Sequence, residues 1–246
     1  AKKFNDILLN VSGSVDGGEH PLMKKSNGNK VLLIAFSSNR GLCGGFNSNV
    51  IKEVKRIVQE NPDKEYSILP IGKKVYDAFK KTSLINTNEN LPKECEKIWD
   101  NLSYENAVEI ILDVISSFQK EVFDESYIIY NSFKNAAIQK LTNEKFLPVE
   151  PIEESTDAKT VDYIFEPNQE EILNELIPNS LKIKFYKALL DSFASEHGAR
   201  MTAMHKATDN ATEMKKELTL FYNKARQASI TSEILEIVAG AEALGG

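Results

Sequence analysis

The sequence predicts an α/β fold: a Rossmann-like α/β domain with a mainly parallel sheet, followed by one long C-terminal helix that forms one strand of a coiled coil. Three observations carry this. Lys30–Phe36 (KVLLIAF) is a continuous apolar run, as expected of a strand buried on both faces. Between it and Leu147, strand-like and helix-like segments alternate. Finally, Met204, Ala207, Ala211, Met214, Leu218, Phe221, Ala225, Ala228, Ser232, Leu235 and Ala239 recur at steps of three and four, and all but Ser232 are apolar. That period of 3.5 marks a helix packed on another helix, and five alanines make the seam thin.

Ala1–Val11 places Phe4, Ile7, Leu8 and Val11 on one helical face, and Ser12–Asn29 reads as a Gly/Ser/Asn-rich loop. After the first strand comes a glycine-rich turn at Arg40–Asn47, then a helix over Ser48–Glu60 that Asn61-Pro62 ends. Tyr66–Ile71 is a second strand and Gly72–Lys81 a short helix. Tyr104–Val122 carries Val108, Ile111, Leu112 and Ile115 at helical spacing. Ser126–Phe133 is a third strand, and Ile138–Leu147 alternates like an edge strand. Pro148–Thr160 is an acidic connector, and Val161–Pro167 an extended segment or further strand. Helix follows from Asn168 or Gln169, where Glu170 and Glu171 suit the positive end of the helix dipole; Pro178 is expected to kink or restart it. No later proline interrupts the chain, and a helix from Pro178 to Glu242 would be roughly 95 Å long at about 1.5 Å per residue.

Composition narrows the function. A net charge of -6 argues against a general nucleic-acid binder. Cys43 and Cys95 fit a reducing compartment better than a disulfide framework, and no run of eighteen apolar residues predicts direct membrane insertion. His20, His197 and His205 are too scattered for a metal site, and His197 falls on an extension of the apolar stripe. Lys24, Lys25 and Lys30 read as a solvated loop edge. Gly41-Leu-Cys-Gly-Gly45 sits between strand and helix, where phosphates bind, but it has neither the dinucleotide glycine pattern nor a Walker lysine. It reads first as a tight turn. A small-molecule or nucleotide-binding enzyme built on this turn is the alternative, and Cys43 lacks a nearby histidine to make it a nucleophile.

The end of the long helix is more informative. Arg226 and Glu233 share one line, and Gln227 and Thr231 a neighbouring one, both roughly 80–140° from the seam at about 100° per residue. The same outward face carries Ile230, Ile234 and Ile237, which a purely solvated face does not explain and an outer sleeve does.

Ile230-Thr-Ser-Glu-Ile-Leu-Glu-Ile-Val-Ala-Gly-Ala-Glu-Ala243 resembles the C-terminal signature of the gamma subunit of rotary F-type ATP synthases. Ser195–Met204 with Ala207–Ala211, Ser38–Asn47 and Phe165-Glu-Pro167 resemble three further stretches of that family, although Asn39 and Phe165 stand where an acid and a tyrosine are expected. The resemblance implies a non-catalytic rotor subunit, without cofactor or metal, whose C-terminal helix is one strand of an antiparallel coiled coil. Residues 1–11 would be a remnant of the N-terminal coil helix, most of it lacking here; 12–29 a loop; 30–167 the α/β domain; and 168–246 the shaft. Its implied partners are the alpha and beta subunits of the catalytic head, the epsilon subunit and the c-subunit ring. By position, Arg226, Gln227, Thr231 and Glu233 would meet the beta subunits' contact loops, Arg200 would stand lower on the shaft, and Tyr163 and Glu166 would face the c ring. The implied location is peripheral, on the cytoplasmic face of the bacterial inner membrane.

Overall fold

A computed structural model of the chain describes residues 20–24, 26, 28–86, 88–149 and 169–245, without the side chains of 169–173. The expected helix at 1–11, the segment at 161–167, Tyr163 and Glu166 lie outside the described residues. The chain divides into two compact units, Ala1–Met201 and Thr202–Gly246.

In the first unit the order is β1 (Lys30–Phe36), α1 (Phe46–Glu60), β2 (Glu65–Ile71), α2 (Lys73–Phe79), a 3-10 turn (Cys95–Trp99), α3 (Tyr104–Gln119), β3 (Glu125–Phe133), β4 (Gln139–Leu147) and the start of α4 (Gln169–Leu244). The sheet order is β2-β1-β3-β4. β1 is parallel to β2, from Lys30 against Glu65 to Phe36 against Ile71, and parallel to β3, from Val31 against Glu125 to Ala35 against Ile129. β4 lies at the edge of the sheet, as the alternation in Ile138–Leu147 predicts, and runs antiparallel to β3.

The β1 run is apolar throughout because both of its faces are covered. Val31, Leu33 and Ala35 pack with Val50 and Val54 of α1 and Val75 and Phe79 of α2. Leu32, Ile34 and Phe36 pack with Ile111, Val114 and Phe118 of α3 and with Ile177, Leu181, Phe185 and Leu189 of α4. Each such side chain removed from water contributes about 2 kcal/mol before entropy is counted. Ser103 starts α3 by accepting a hydrogen bond from Asn106 N–H at 3.2 Å. Gly72 turns the chain into α2 at φ 120°, a conformation a side chain rarely adopts, and a Cβ there would lie 2.0 Å from Ser37 O.

Of the two outcomes expected at Pro178, a restart of the helix does not occur. α4 is continuous through it, because Ile177 before and Leu181 and Phe185 after are all buried on one face. That packing outweighs the backbone hydrogen bond a proline removes.

Candidate functional site

In the second unit α4 runs to Leu244, and every residue from 204 to 245 is exposed. The predicted seam is apolar and open: Met214, Leu218 and Leu235 are exposed, and Phe221 is 72 % exposed. The opposite side is equally apolar, with Ile230, Ile234 and Val238 exposed and Ile237 at 72 %. A lone surface leucine needs no explanation; two apolar faces on one helix do.

Arg226, Gln227, Thr231 and Glu233 lie on the exposed surface of this helix. The Thr231 hydroxyl donates to the Gln227 carbonyl at 2.8 Å, so its proton is already used and only its lone pairs face outward. Thr208, Thr212 and Thr219 do the same to Met204, Thr208 and Lys215. Ser229 Oγ donates to Glu233 Oε1 at 3.4 Å. Arg226 has no ion-pair partner among the described residues. Beyond it the helix carries Glu233, Glu236 and Glu242 and no cation, although a helix C-terminus favours positive charge. The tip therefore presents one guanidinium, then hydrocarbon interrupted by carboxylates.

Arg200 belongs to the first unit, where its Nη2 lies 2.7 Å from Glu196 Oε1 with both side chains largely covered. The Nη2 group lacks an aligned hydrogen bond, so the contact is a close ion pair within one helix. Sequence reading did not find Glu196, Ser192 or Ser195 as buried groups, because polar residues on a helix read as surface. Their spacing from Ala188 and Leu189 on the inner face was the available signal.

The Gly41–Gly45 turn is filled from within. Cys43 is buried with Phe46 and Ala199. Asn47 Nδ2 donates to its sulfur at 3.1 Å, while Asn47 Oδ1 accepts from Ser38 N–H at 2.9 Å. Asn131 Nδ2, itself buried, donates to Phe46 O at 3.1 Å and fixes the start of α1. Leu42 projects outward, 79 % exposed, at φ 62°. The interior a phosphate would need is taken by the Cys43 side chain, which disfavours the nucleotide-enzyme alternative. Among the described residues no three His, Cys, Asp or Glu side chains come close enough to hold a metal. Cys95 lies in the main core, where burial pushes its thiol up to about 12, far from a nucleophile's range.

Known proteins bear on this arrangement. Residues 1–244 match the family model described as ATP synthase. The chain is 49 % identical to the ATP synthase gamma chain of Flavobacterium johnsoniae and 50 % identical to that of Flavobacterium psychrophilum, in each case over all of this chain and 84 % of the relative. A chain of the Euglena gracilis mitochondrial ATP synthase, in a structure with its OSCP, F1 and c-ring, shares the fold at TM-score 0.65 and 20 % identity, covering 99 % of this chain and 86 % of that one. One from the central stalk/c-ring structure of the Tetrahymena thermophila enzyme does so at 0.54 and 24 %, covering 84 % and 98 %. With relatives this similar over its whole length, the chain belongs to the ATP synthase gamma-chain family.

Proposed function

We propose that the chain is the central-stalk rotor of a proton-translocating ATP synthase, coupling rotation of the c ring to conformational change in the catalytic beta subunits. The observation that carries this reading is the terminal helix with two apolar faces. A helix of a self-contained domain hides one face. A shaft needs both: a seam for the other strand of the coil, and an outer surface that slides in a sleeve.

The mechanism follows from that surface. Hydrocarbon gives a nearly angle-independent contact, so rotation meets little resistance. Arg226, Gln227, Thr231 and Glu233 break the uniformity, and their contacts differ as the shaft faces successive beta subunits. Only an interaction that differs between conformations shifts their balance, so these residues are where rotation becomes a difference in nucleotide affinity. The chain supplies no catalytic group, cofactor or metal; chemistry belongs to the alpha and beta subunits. The α/β domain meets the epsilon subunit, and Tyr163 and Glu166 face the c ring. None of the described helices is long and apolar enough to cross a membrane. Attachment is then peripheral, through the complex, on the cytoplasmic face of the bacterial inner membrane.

Reconstitution tests the reading. With alpha and beta subunits, the protein should assemble and support ATP-driven rotation of a probe fixed to the α/β domain. Failure to assemble would sink it. So would micromolar ATP binding by the chain alone with protection of Cys43.

A further inference from the structure

Residues 20–24 form a short plug ahead of β1. Leu22 is fully buried and Met23 nearly so, and both belong to the main core with Phe146 and Leu147 of β4 and Ile177 of α4. Backbone carried into hydrocarbon must have its polar groups answered, and three hydrogen bonds do so here. Val149 N–H donates to Leu22 O at 2.8 Å and ties the plug to the chain just past β4. Met23 N–H donates to His20 O at 2.9 Å and closes a turn. The Leu22 N–H donates to a side chain, His20 Nδ1, at 3.2 Å, and has no other acceptor among the described residues. Only an unprotonated Nδ1 accepts, so the ring is the neutral tautomer with its proton on Nε2. The Asn174 side chain, from the second turn of α4, hydrogen-bonds the same ring. A proton on Nδ1 would set one N–H against another, turn the ring away and leave a buried donor without its bond.

We propose that His20 is an acid-released latch: while neutral it holds residues 20–24 in the core, and on taking up a proton it lets Leu22 and Met23 leave. The charged residues on the plug and on the elements packed around it are Glu19, Lys24, Lys145 of β4, Glu150 beyond it, and Glu170, Glu171 and Glu175 at the start of α4. In that setting the His20 pKa lies below the ordinary imidazole value, because burial outweighs the Asn174 hydrogen bond. A docked value below that of the released, solvated ring means that the plug is fully held above about pH 6.5 and loosens as the pH falls toward the docked value. In the rotor this plug fastens the chain arriving from the other strand of the shaft to the α/β domain, so acid loosens that attachment. That use rests on the rotor reading, whereas the latch itself does not.

Amide hydrogen exchange of the full chain, followed by NMR and divided by the unfolded chain's rate at the same pH, reads the latch at Leu22, Met23 and Val149. Leu32 and Ile34 of β1 are the internal control. Between about pH 7.5 and about pH 5, protection at the three latch amides should fall at least about fivefold, within the roughly tenfold per pH unit that one proton allows, while β1 is unchanged. The variant His20→Asn offers an amide oxygen to the N–H two residues on and does not titrate, so it should keep Leu22 protected at every pH. Wild-type protection that ignores pH overturns the proposal. So does a loss that persists in His20→Asn, or one that β1 shares. If the variant does not fold, the 15N shifts of the wild-type ring decide: Nδ1 unprotonated at neutral pH is expected, and the opposite tautomer overturns the latch. Failure to assemble with alpha and beta subunits would remove the rotor reading without moving these protections.

Discussion

Phe185→Ala tests whether α4 is rooted in the α/β domain by its hydrocarbon stretch. Phe185 is fully buried, with its ring edge-on to Phe36 at 5.6 Å and tilted against Phe146 at 6.4 Å. Truncating a buried phenylalanine costs about 3–5 kcal/mol, and each lost aromatic pair lies within roughly 0.5–1.5 kcal/mol of that total. We expect about 4 kcal/mol, a large share of the roughly 5–15 kcal/mol that holds a domain folded. The control is Ile183→Ala, two residues earlier on the same helix but 40 % exposed, which should cost about 1 kcal/mol or less. Urea titration followed by Trp99 is the assay, since this one tryptophan donates to Ile71 O and stacks on Phe193. With a slope of about 2 kcal/mol per molar urea, Phe185→Ala should lower the midpoint by about 2 M. Equal shifts for the two variants would show that α4 is not anchored by this face.

Three other outcomes are expected. Replacing Arg226 and Gln227 together by alanine should lower ATP turnover of the reconstituted complex several-fold while leaving the unfolding free energy of the α/β domain in urea within about 0.5 kcal/mol of wild type, since both side chains are exposed; unaltered turnover would remove them from torque transmission. Gly72→Ala should cost about 2 kcal/mol or more through its φ of 120° and the contact with Ser37 O, read as a drop in Tm; an unchanged Tm would deny that strain. Burial alone would raise the pKa of Glu125, but the hydrogen bond and charge of Lys64, with Lys145 beside it, win and hold it below the ordinary carboxylate value. A native pKa below the unfolded one gives stability fully present above about pH 4.3 and lost as the pH falls through the native value. Glu125→Gln should therefore flatten the acid limb of the stability curve, and parallel limbs would exclude this ion pair as a contributor.

How far the sequence disclosed this molecule depended on whether a signal was local. The β1 run announced a doubly covered strand, but not that its alternate residues divide between the α1/α2 layer and the α3/α4 layer, since that division is set by tertiary packing. Ser103 is a legible helix cap; α1 begins at Phe46, before the expected Ser48, because Gly45 precedes it without a capping side chain. The helix does not restart at Pro178, since propensity is local and the buried face on either side of it is not. The turn at Cys95–Trp99 is too short and polar to show a period. Ser192 and Ser195 were passed over for the opposite reason: their inward phase was readable, but hydroxyls carry an expectation of water. The seam was the clearest signal, because thirty-six residues of repetition average away local exceptions.

The geometry of the second unit bears on what can stiffen it. Its helix is roughly 65 Å long at about 1.5 Å per residue, and a helix by itself gains little from propensity alone. The seam residues Met214, Leu218 and Phe221 could be covered by one neighbouring helix, and alanines at 207, 211, 225 and 228 let that helix approach closely. Such a neighbour would leave Ile230, Ile234 and Ile237 in water, because they lie off the seam. Burying them calls for a second surface of different character, wide enough to meet several turns and apolar enough to leave Glu233 and Glu236 at its rim. Adding a charge to the seam, as in Leu218→Lys, should therefore loosen the coil and impair assembly as a whole. Adding one to the outer face, as in Ile234→Lys, should leave the coil intact and slow rotation. If both substitutions gave the same defect, the helix would have one working face rather than two.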